Sequence, residues 1–469
     1  MSQAMPAAPE QSALSRSLRP RHVSMITIGG IIGAGLFVGS SVAIAAAGPA
    51  IIVSYVLTGL LVLLIMRMLG EMAVDMPHVR SFTEFTRAAL GNWAGFSVGW
   101  LYWYFWVIVI PVEAIAGAEI IQLWLPLPTW QIGAVLMLLM TGVNLMSARA
   151  YGEFEFWFAS IKVTAIISFI LVIGAHVFGY RSSTGPTFSN LVAHGGFAPR
   201  GAFAVLAAVT TVIFSMMGAE VVTIAAAESA EPARAVARMT ATVMTRILLF
   251  YVGSILVIVC TVPWNLVVPG QSPFTLALDT IHVPYATTLM SGIILTAVLS
   301  CLNSAFYVAS RVLFVLAEHG DAPRWLVKTN KRHVPARSVL LASVVGFAGV
   351  IAAILSPSVV FAFLVNASGA VIALIYMAIA VSQVRTRRRR EQQGGPAPTL
   401  PMWFFPWLSY VAIGAMLLVL IAMAVTPAHF TEFWASTVSA VVALLAFFVF
   451  RRGRAWSPTA RPSRIQDAG

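Results

Sequence analysis

The chain has 469 residues, of which 59% are hydrophobic and only 10% charged, and its formal net charge is +12. A typical soluble domain is about 25% charged, and one as apolar as this would expose patches that drive aggregation. A soluble fold is excluded: the bilayer must act as solvent for the apolar surface, and no hydrophilic stretch is long enough to form a separate domain.

Residues 1–22 lack an apolar core ahead of a cleavage site, so they read as a tail and not as a secretory signal. A spanning helix needs about 20 mostly apolar residues. In chain order such runs lie near 23–46, 51–69, 93–124, 130–146, 154–178, 202–227, 240–262, 285–316, 339–355, 359–381, 405–425 and 434–450. The expected fold is an all-α polytopic membrane protein of twelve transmembrane helices over 23–451, followed by a second tail at 452–469. The runs at 93–124 and 285–316 are long enough to require tilt or to extend past the hydrocarbon.

The basic residues test that count. With the N-terminus inside, every Lys and Arg of the 29 except Arg181 and Arg200 falls on the inner side, Lys162 lying one or two turns deeper. Insertion follows this positive-inside bias, and a wrong number of spans would scramble the alternation. Both termini are therefore expected in the cytoplasm. The same distribution removes nucleic acid as a partner, because the charge sits in short loops where it meets anionic lipid headgroups. Cys260 and Cys301, both in apolar runs, read as buried small hydrophobes with no metal-ligand spacing.

Two spans carry interruptions. The first contains Gly29, Gly30, Gly33 and Gly35, and each glycine in a helix interior costs about 1 kcal/mol relative to alanine. Close helix packing would explain some of these, but the Gly33-x-Gly35 spacing forms no simple stripe and favours an unwound segment. The sixth has its weak point over Phe214-Ser215-Met216-Met217-Gly218-Ala219-Glu220. Unwound backbone is tolerated only beside a cavity or within protein, where free N–H groups suit a carboxylate and free carbonyls an ammonium. Breaks in the first and sixth spans fit an inverted five-plus-five repeat, about 23–178 and 202–382, with the helices at 405–450 outside it. Gly33–Gly35 and Phe214–Gly218 are thus expected to be non-helical and adjacent near the membrane centre.

Ionisable groups inside the membrane cost at least about 2.5–3.5 kcal/mol on insertion scales and need a reason. Glu119 is near the end of its span and reads as a solvated rim residue. Glu113, after Pro111 in an aromatic-rich span, fits structural pairing and a proton or substrate role equally. Lys162 either snorkels to the surface or faces the broken first helix and exchanges a proton. Glu220 is open to gating, to pH sensing and to ordering the unwound backbone.

The runs IGGIIGAGLFVGSSVAIAAAGPA, YGEFEFWFASIKV, FSMMGAEVVTIAAAES and SCLNSAFYVASRVLFVLAEHGDAP resemble the bacterial amino acid permeases of the amino acid–polyamine–organocation superfamily. Within that superfamily, VGSSVAIA, WVIVIPVEA and TIAAAES look most like γ-aminobutyrate permeases. The resemblance implies the leucine-transporter fold, alternating access and proton-coupled uptake across a bacterial inner membrane. Carried over position by position, it implies that the amides of Ala34 and Gly35 meet the substrate carboxylate. Carbonyls of Ile31, Phe214 and Met217 would meet the ammonium, with Gly33 and Ser215 in the same breaks and Trp106 and Phe214 as walls. It places Lys162, in FASIKV, where an ammonium replaces a sodium ion, and gives Glu220 the acidic position of the GAE segment. The implied partners are a small zwitterionic amino acid, protons and membrane lipids, with no cofactor and no obligatory protein partner.

Other classes lack support in the residues. The eight histidines form no ligand cluster, no G-x-S-x-G elbow or phosphate loop occurs, and an enzyme or a nucleotide-driven pump would need one of these. A channel is separated from a transporter by saturation and counterflow. A transporter-like nutrient sensor generally needs a signalling extension, and the tails here are short.

Overall fold

The computed structural model describes residues 32–76, 79, 81–146, 148–180, 185, 187–221, 232–352, 354, 357–426 and 430–451. Ile31, Gly29 and Gly30, both tails and the end of the sixth apolar run lie outside the described residues. Among the described residues there is no strand.

The first apolar run continues as α1 (Ala34–Phe37) and α2 (Gly39–Ala47). It turns back at Gly48, whose φ of 68° is strained for any residue with a Cβ, and Pro49 follows. Then come α3 (Ile51–Asp75) and the short amphipathic α4 (Phe82–Leu90), which Ser81 caps by accepting the Glu84 N–H at 3.4 Å. α5 (Asn92–Ile121) has 30 residues, about 45 Å of helix, so it must tilt or extend past a core of about 30 Å. α6 (Thr129–Asn144), α7 (Ala148–Val177), and the pair α8 (Gly201–Ala207) and α9 (Val209–Met216) complete the first six runs. The second half holds α10 (Pro232–Thr261), a short α11 (Pro273–Thr280), α12 (Ala286–Glu318), α13 (Ala336–Ala352) and α14 (Pro357–Gln392). α15 (Trp407–Val425) and α16 (Phe430–Arg451) end the chain.

Seven helical stretches are long and apolar enough to cross a membrane and four more are shorter apolar helices. The turn at Gly48 divides the first of the seven, so the described helices account for all twelve runs seen in the sequence. The protein is a multi-pass membrane protein. α5, α12 and α14 are mostly buried, whereas α15 and α16 are mostly exposed and line the edge of the bundle.

The packing is two-fold in character. The most extensive helix pairs join α5 to α12 and α3 to α10, which are the third with the eighth and the second with the seventh runs. Equivalent helices of two inverted repeats meet in this way across a pseudo-axis. Small residues let helices approach: a Cβ on Gly349 of α13 would stand 2.5 Å from Pro111 of α5, and one on Gly369 of α14 would stand 2.5 Å from the Thr210 carbonyl of α9.

The breaks fall a few residues from their expected places. Gly33 is extended (φ −141°, ψ −152°), but Ala34 and Gly35 already belong to α1. Phe214, Ser215 and Met216 remain helical, and the interruption begins at Met217 (ψ 151°) and continues through Gly218 (φ 110°). The weak point of the sixth run is therefore set by the glycine that can adopt positive φ, and the bulky residues before it stay in the helix.

Candidate functional site

At the first break the Ala34 N–H points at a side chain. It donates to both carboxylate oxygens of Glu113, each at 3.1 Å. The approach depends on Gly33, where a Cβ would lie 2.6 Å from Glu113 Oε1 and 2.7 Å from the Cβ and Sγ of Cys301. Glu113 is buried, as is Cys301. The backbone donor assigned from sequence to a substrate carboxylate thus holds the protein's own carboxylate.

The second break is held by Glu220. Its carboxylate accepts from the Tyr102 hydroxyl at 2.9 Å, the Tyr376 hydroxyl at 3.1 Å and the Gly218 N–H at 3.3 Å. These donors come from α5, from α14 and from the unwound segment itself, so one buried acid ties the break to two long helices. Of the three roles open for Glu220 in sequence, ordering the backbone is the one that this geometry displays.

The two breaks touch. Ser215 Oγ donates to the Gly35 carbonyl at 2.7 Å, and Tyr251 OH donates to the Ser215 carbonyl at 2.6 Å. A Cβ on Gly35 would stand 2.8 Å from Ser215 Cα, closer than real contacts allow. The carbonyls of the helical residues that flank the breaks are therefore partly satisfied by hydroxyls from α9 and α10.

Lys162 is fully buried on α7 and does not reach the surface. It lies within electrostatic reach of Glu155, Cys301 and Glu113. Glu155 is likewise fully buried and accepts the Ser300 hydroxyl at 2.5 Å. The aromatic wall is a chain of ring contacts: Trp106 meets Tyr102 (6.2 Å between centroids) and Phe105 (5.4 Å) edge to face, and Phe105 meets Phe214 at a tilt (6.1 Å). Trp106 thus reaches Phe214 through Phe105.

Of the residues singled out in sequence, the structure gathers Gly33, Ala34, Gly35, Glu113, Lys162 and Ser215 at one place, with Phe214 and Met217 at the adjoining break. Glu220 sits on the other side of that break. Sequence reasoning missed Glu155, although it stands seven positions before Lys162, two turns along the same helix face. It also took Cys301 for a plain core residue. Cys301 is buried but packs against Gly33 next to the two charged groups.

A second polar cluster joins α4 to the end of α12. Arg87 pairs with Asp321, whose backbone carbonyl accepts the Trp100 indole N–H at 3.2 Å. His319 places Nε2 3.2 Å from Glu84 Oε1 and Nδ1 2.8 Å from the Val315 carbonyl. Burial disfavours charge on His319, but the Glu84 carboxylate and the Val315 carbonyl outweigh it and hold the imidazolium above its usual range.

Residues 22–457 match the sequence model of the amino acid permease family. The chain belongs to this family. Amino acid permeases are transporters and not enzymes, and the substrate is an amino acid. The chain is 46% identical to the gamma-aminobutyric acid permease of Bacillus subtilis over 94% of its length and 95% of the relative. It is 46% identical to the gamma-aminobutyric acid permease of Escherichia coli over 89% of this chain and 90% of that one. An aromatic amino acid transport protein of Corynebacterium glutamicum is 39% identical over 88% and 89%. Among solved structures, a manganese transporter of Eremococcus coleocola superposes with a TM-score of 0.58 over 95% of this permease and 97% of that chain, at 12% identity. That likeness concerns the fold alone, and it agrees with the five-plus-five architecture of leucine-transporter type.

Proposed function

We propose that this permease is a proton-coupled γ-aminobutyrate importer of a bacterial inner membrane, with both termini in the cytoplasm, working by alternating access. The observation that carries the coupling is the buried pair of Glu113 and Lys162 beside the Gly33 break. A fixed ammonium there supplies the positive charge that a sodium ion would otherwise bring. The cytoplasmic placement of the termini is supported by the distribution of Lys and Arg.

In this reading Glu113 and the substrate compete for the Ala34 amide. A proton taken up by Glu113 leaves a neutral carboxylic acid, a poorer acceptor than a carboxylate. The amide is then released to the substrate carboxylate, which joins the Gly35 amide as well. Carbonyls of Ile31, Phe214 and Met217 take the ammonium. Substrate entry and proton entry are thereby linked at one hydrogen bond.

The γ-aminobutyrate assignment is supported by the names of the relatives at 46% identity. Labelled γ-aminobutyrate uptake in proteoliposomes, challenged with α-, β- and γ-amino acids, tests it. The proposal expects unlabelled γ-aminobutyrate to compete best, and stronger inhibition by phenylalanine or lysine would refute it.

A further inference from the structure

We infer that Glu155 is the proton acceptor of Lys162, receiving the proton that Lys162 releases and passing it toward the cytoplasm. The inference rests on the proposed role of Lys162 and extends it to a residue for which no role has been given. Both groups lie on α7, seven residues and about 10.5 Å apart along the axis. That is two turns, so they share a face, and helical side chains lean toward the N-terminus. The long stem of Lys162 therefore runs back along this face, Glu155 leans the same way ahead of it, and the two act on each other electrostatically. With the N-terminus in the cytoplasm, α7 runs outward, and Glu155 is the more cytoplasmic of the two.

The surroundings of Glu155 suit an acceptor. It is fully buried, so its charge needs a partner. One carboxylate oxygen takes the Ser300 hydroxyl, and the Ser304 hydroxyl stands by the same carboxylate, so these groups are neutral donors and Lys162 is the cation beside it. The titratable and polar groups around it are Lys162 on its own helix and Ser300 and Ser304 on α12. Cys301 of α12 and Glu113 of α5 act on Lys162 as well. In the transfer, the Lys162 N–H bond breaks and a Glu155 O–H bond forms, turning ammonium and carboxylate into neutral amine and neutral acid. Glu155 then yields the proton to water on the cytoplasmic side, and Lys162 is recharged by a proton from the outer side. No other reactant is needed.

The test compares Glu155→Gln, Glu155→Asp, Ser300→Ala and Lys162→Ala in the full-length protein reconstituted in proteoliposomes. Glu155→Gln should lose accumulation driven by a pH gradient by about tenfold or more. Counterflow, which needs no net proton release, should remain within about threefold of wild type, and Glu155→Asp should recover part of the accumulation. Ser300→Ala removes a donor to the carboxylate, so the pH dependence of accumulation should move by about 0.5–1 unit toward alkaline pH. Wild-type accumulation by Glu155→Gln would overturn the inference, as would joint loss of counterflow and accumulation in that variant with an unmoved Ser300→Ala profile. If Lys162→Ala itself accumulated substrate normally, the underlying coupling reading would fail, which is a different result. Loss in Lys162→Ala with retention in Glu155→Gln would remove only Glu155.

Discussion

The amide of Ala34 and the carboxylate of Glu113, 79 positions apart in sequence, form a three-centre hydrogen bond with both oxygens at 3.1 Å. The broken helix of this permease thus carries an internal anion where a substrate anion is expected. This has a direct consequence for the pH dependence of binding. Glu113→Gln cannot be neutralised by a proton, so substrate affinity in that variant should be nearly flat with pH, while wild-type affinity rises as pH falls. Equilibrium binding of labelled γ-aminobutyrate across pH reads the difference, and a wild-type slope in the variant would show that Glu113 does not compete for the amide.

The contact between the breaks predicts an order of damage among glycine substitutions. At Gly35 an added Cβ meets the Ser215 backbone at 2.8 Å, which cannot move without separating α1 from α9. At Gly33 the Glu113 carboxylate at 2.6 Å can swing away, but the Cys301 Cβ at 2.7 Å is fixed to α12. Both Gly35→Ala and Gly33→Ala should therefore destabilise by about 1–3 kcal/mol. Gly35→Ala should abolish uptake, whereas Gly33→Ala should lose affinity by displacing Glu113. Thermal unfolding and uptake, measured together on purified variants, check the order in uptake.

Glu220 is held by two tyrosines from separate helices, so their removal should be non-additive. Tyr102→Phe and Tyr376→Phe each leave the buried carboxylate short of one donor, a loss on the order of 1–3 kcal/mol. The double variant should lose more than the sum, because only backbone donors such as the Gly218 N–H are left to a buried carboxylate. Glu220→Gln in that background should recover stability, since a neutral amide needs fewer donors. A simple sum of the two single effects would mean that Glu220 finds other donors.

His319 gives a pH signature outside the membrane. Both ring nitrogens face acceptors, the geometry of an imidazolium, and its pKa in the folded protein is held above the usual value. A raised folded pKa contributes stability in full below the unfolded value near 6.5 and loses it as pH rises through the folded value. Wild type should therefore lose stability relative to His319→Gln as pH rises above about 6.5, by about 1 kcal/mol or less for a partly exposed pair. Melting curves at a series of pH values test this, and parallel curves would show that the Glu84 pair adds nothing.

Much of this arrangement was legible in the sequence. Hydropathy located the spans, and the placement of Lys and Arg fixed their number, because each acts locally on insertion. Gly33 and Gly218 marked the breaks for the same reason: backbone freedom is a property of the residue itself. The limits of the breaks were harder to read, since several residues before Gly218 could have unwound, and the bonds that Ser215 makes to Gly35 and Tyr251 join partners remote in sequence. Glu155 escaped notice because EFEFWF resembles the polar edge of a span, and only the two-turn spacing to Lys162 hinted at its burial. Tyr102 and Tyr376 carried no signal at all, as nothing local in either sequence indicates that both reach Glu220.

The central claim is coupling of γ-aminobutyrate uptake to protons through a fixed buried lysine, and the most direct measurement is transport by the purified permease in sodium-free proteoliposomes. An imposed pH gradient, acidic outside, should drive labelled γ-aminobutyrate above its equilibrium level in wild type. Lys162→Ala should equilibrate at best. Accumulation that required a sodium gradient and ignored pH, or that survived intact in Lys162→Ala, would contradict it.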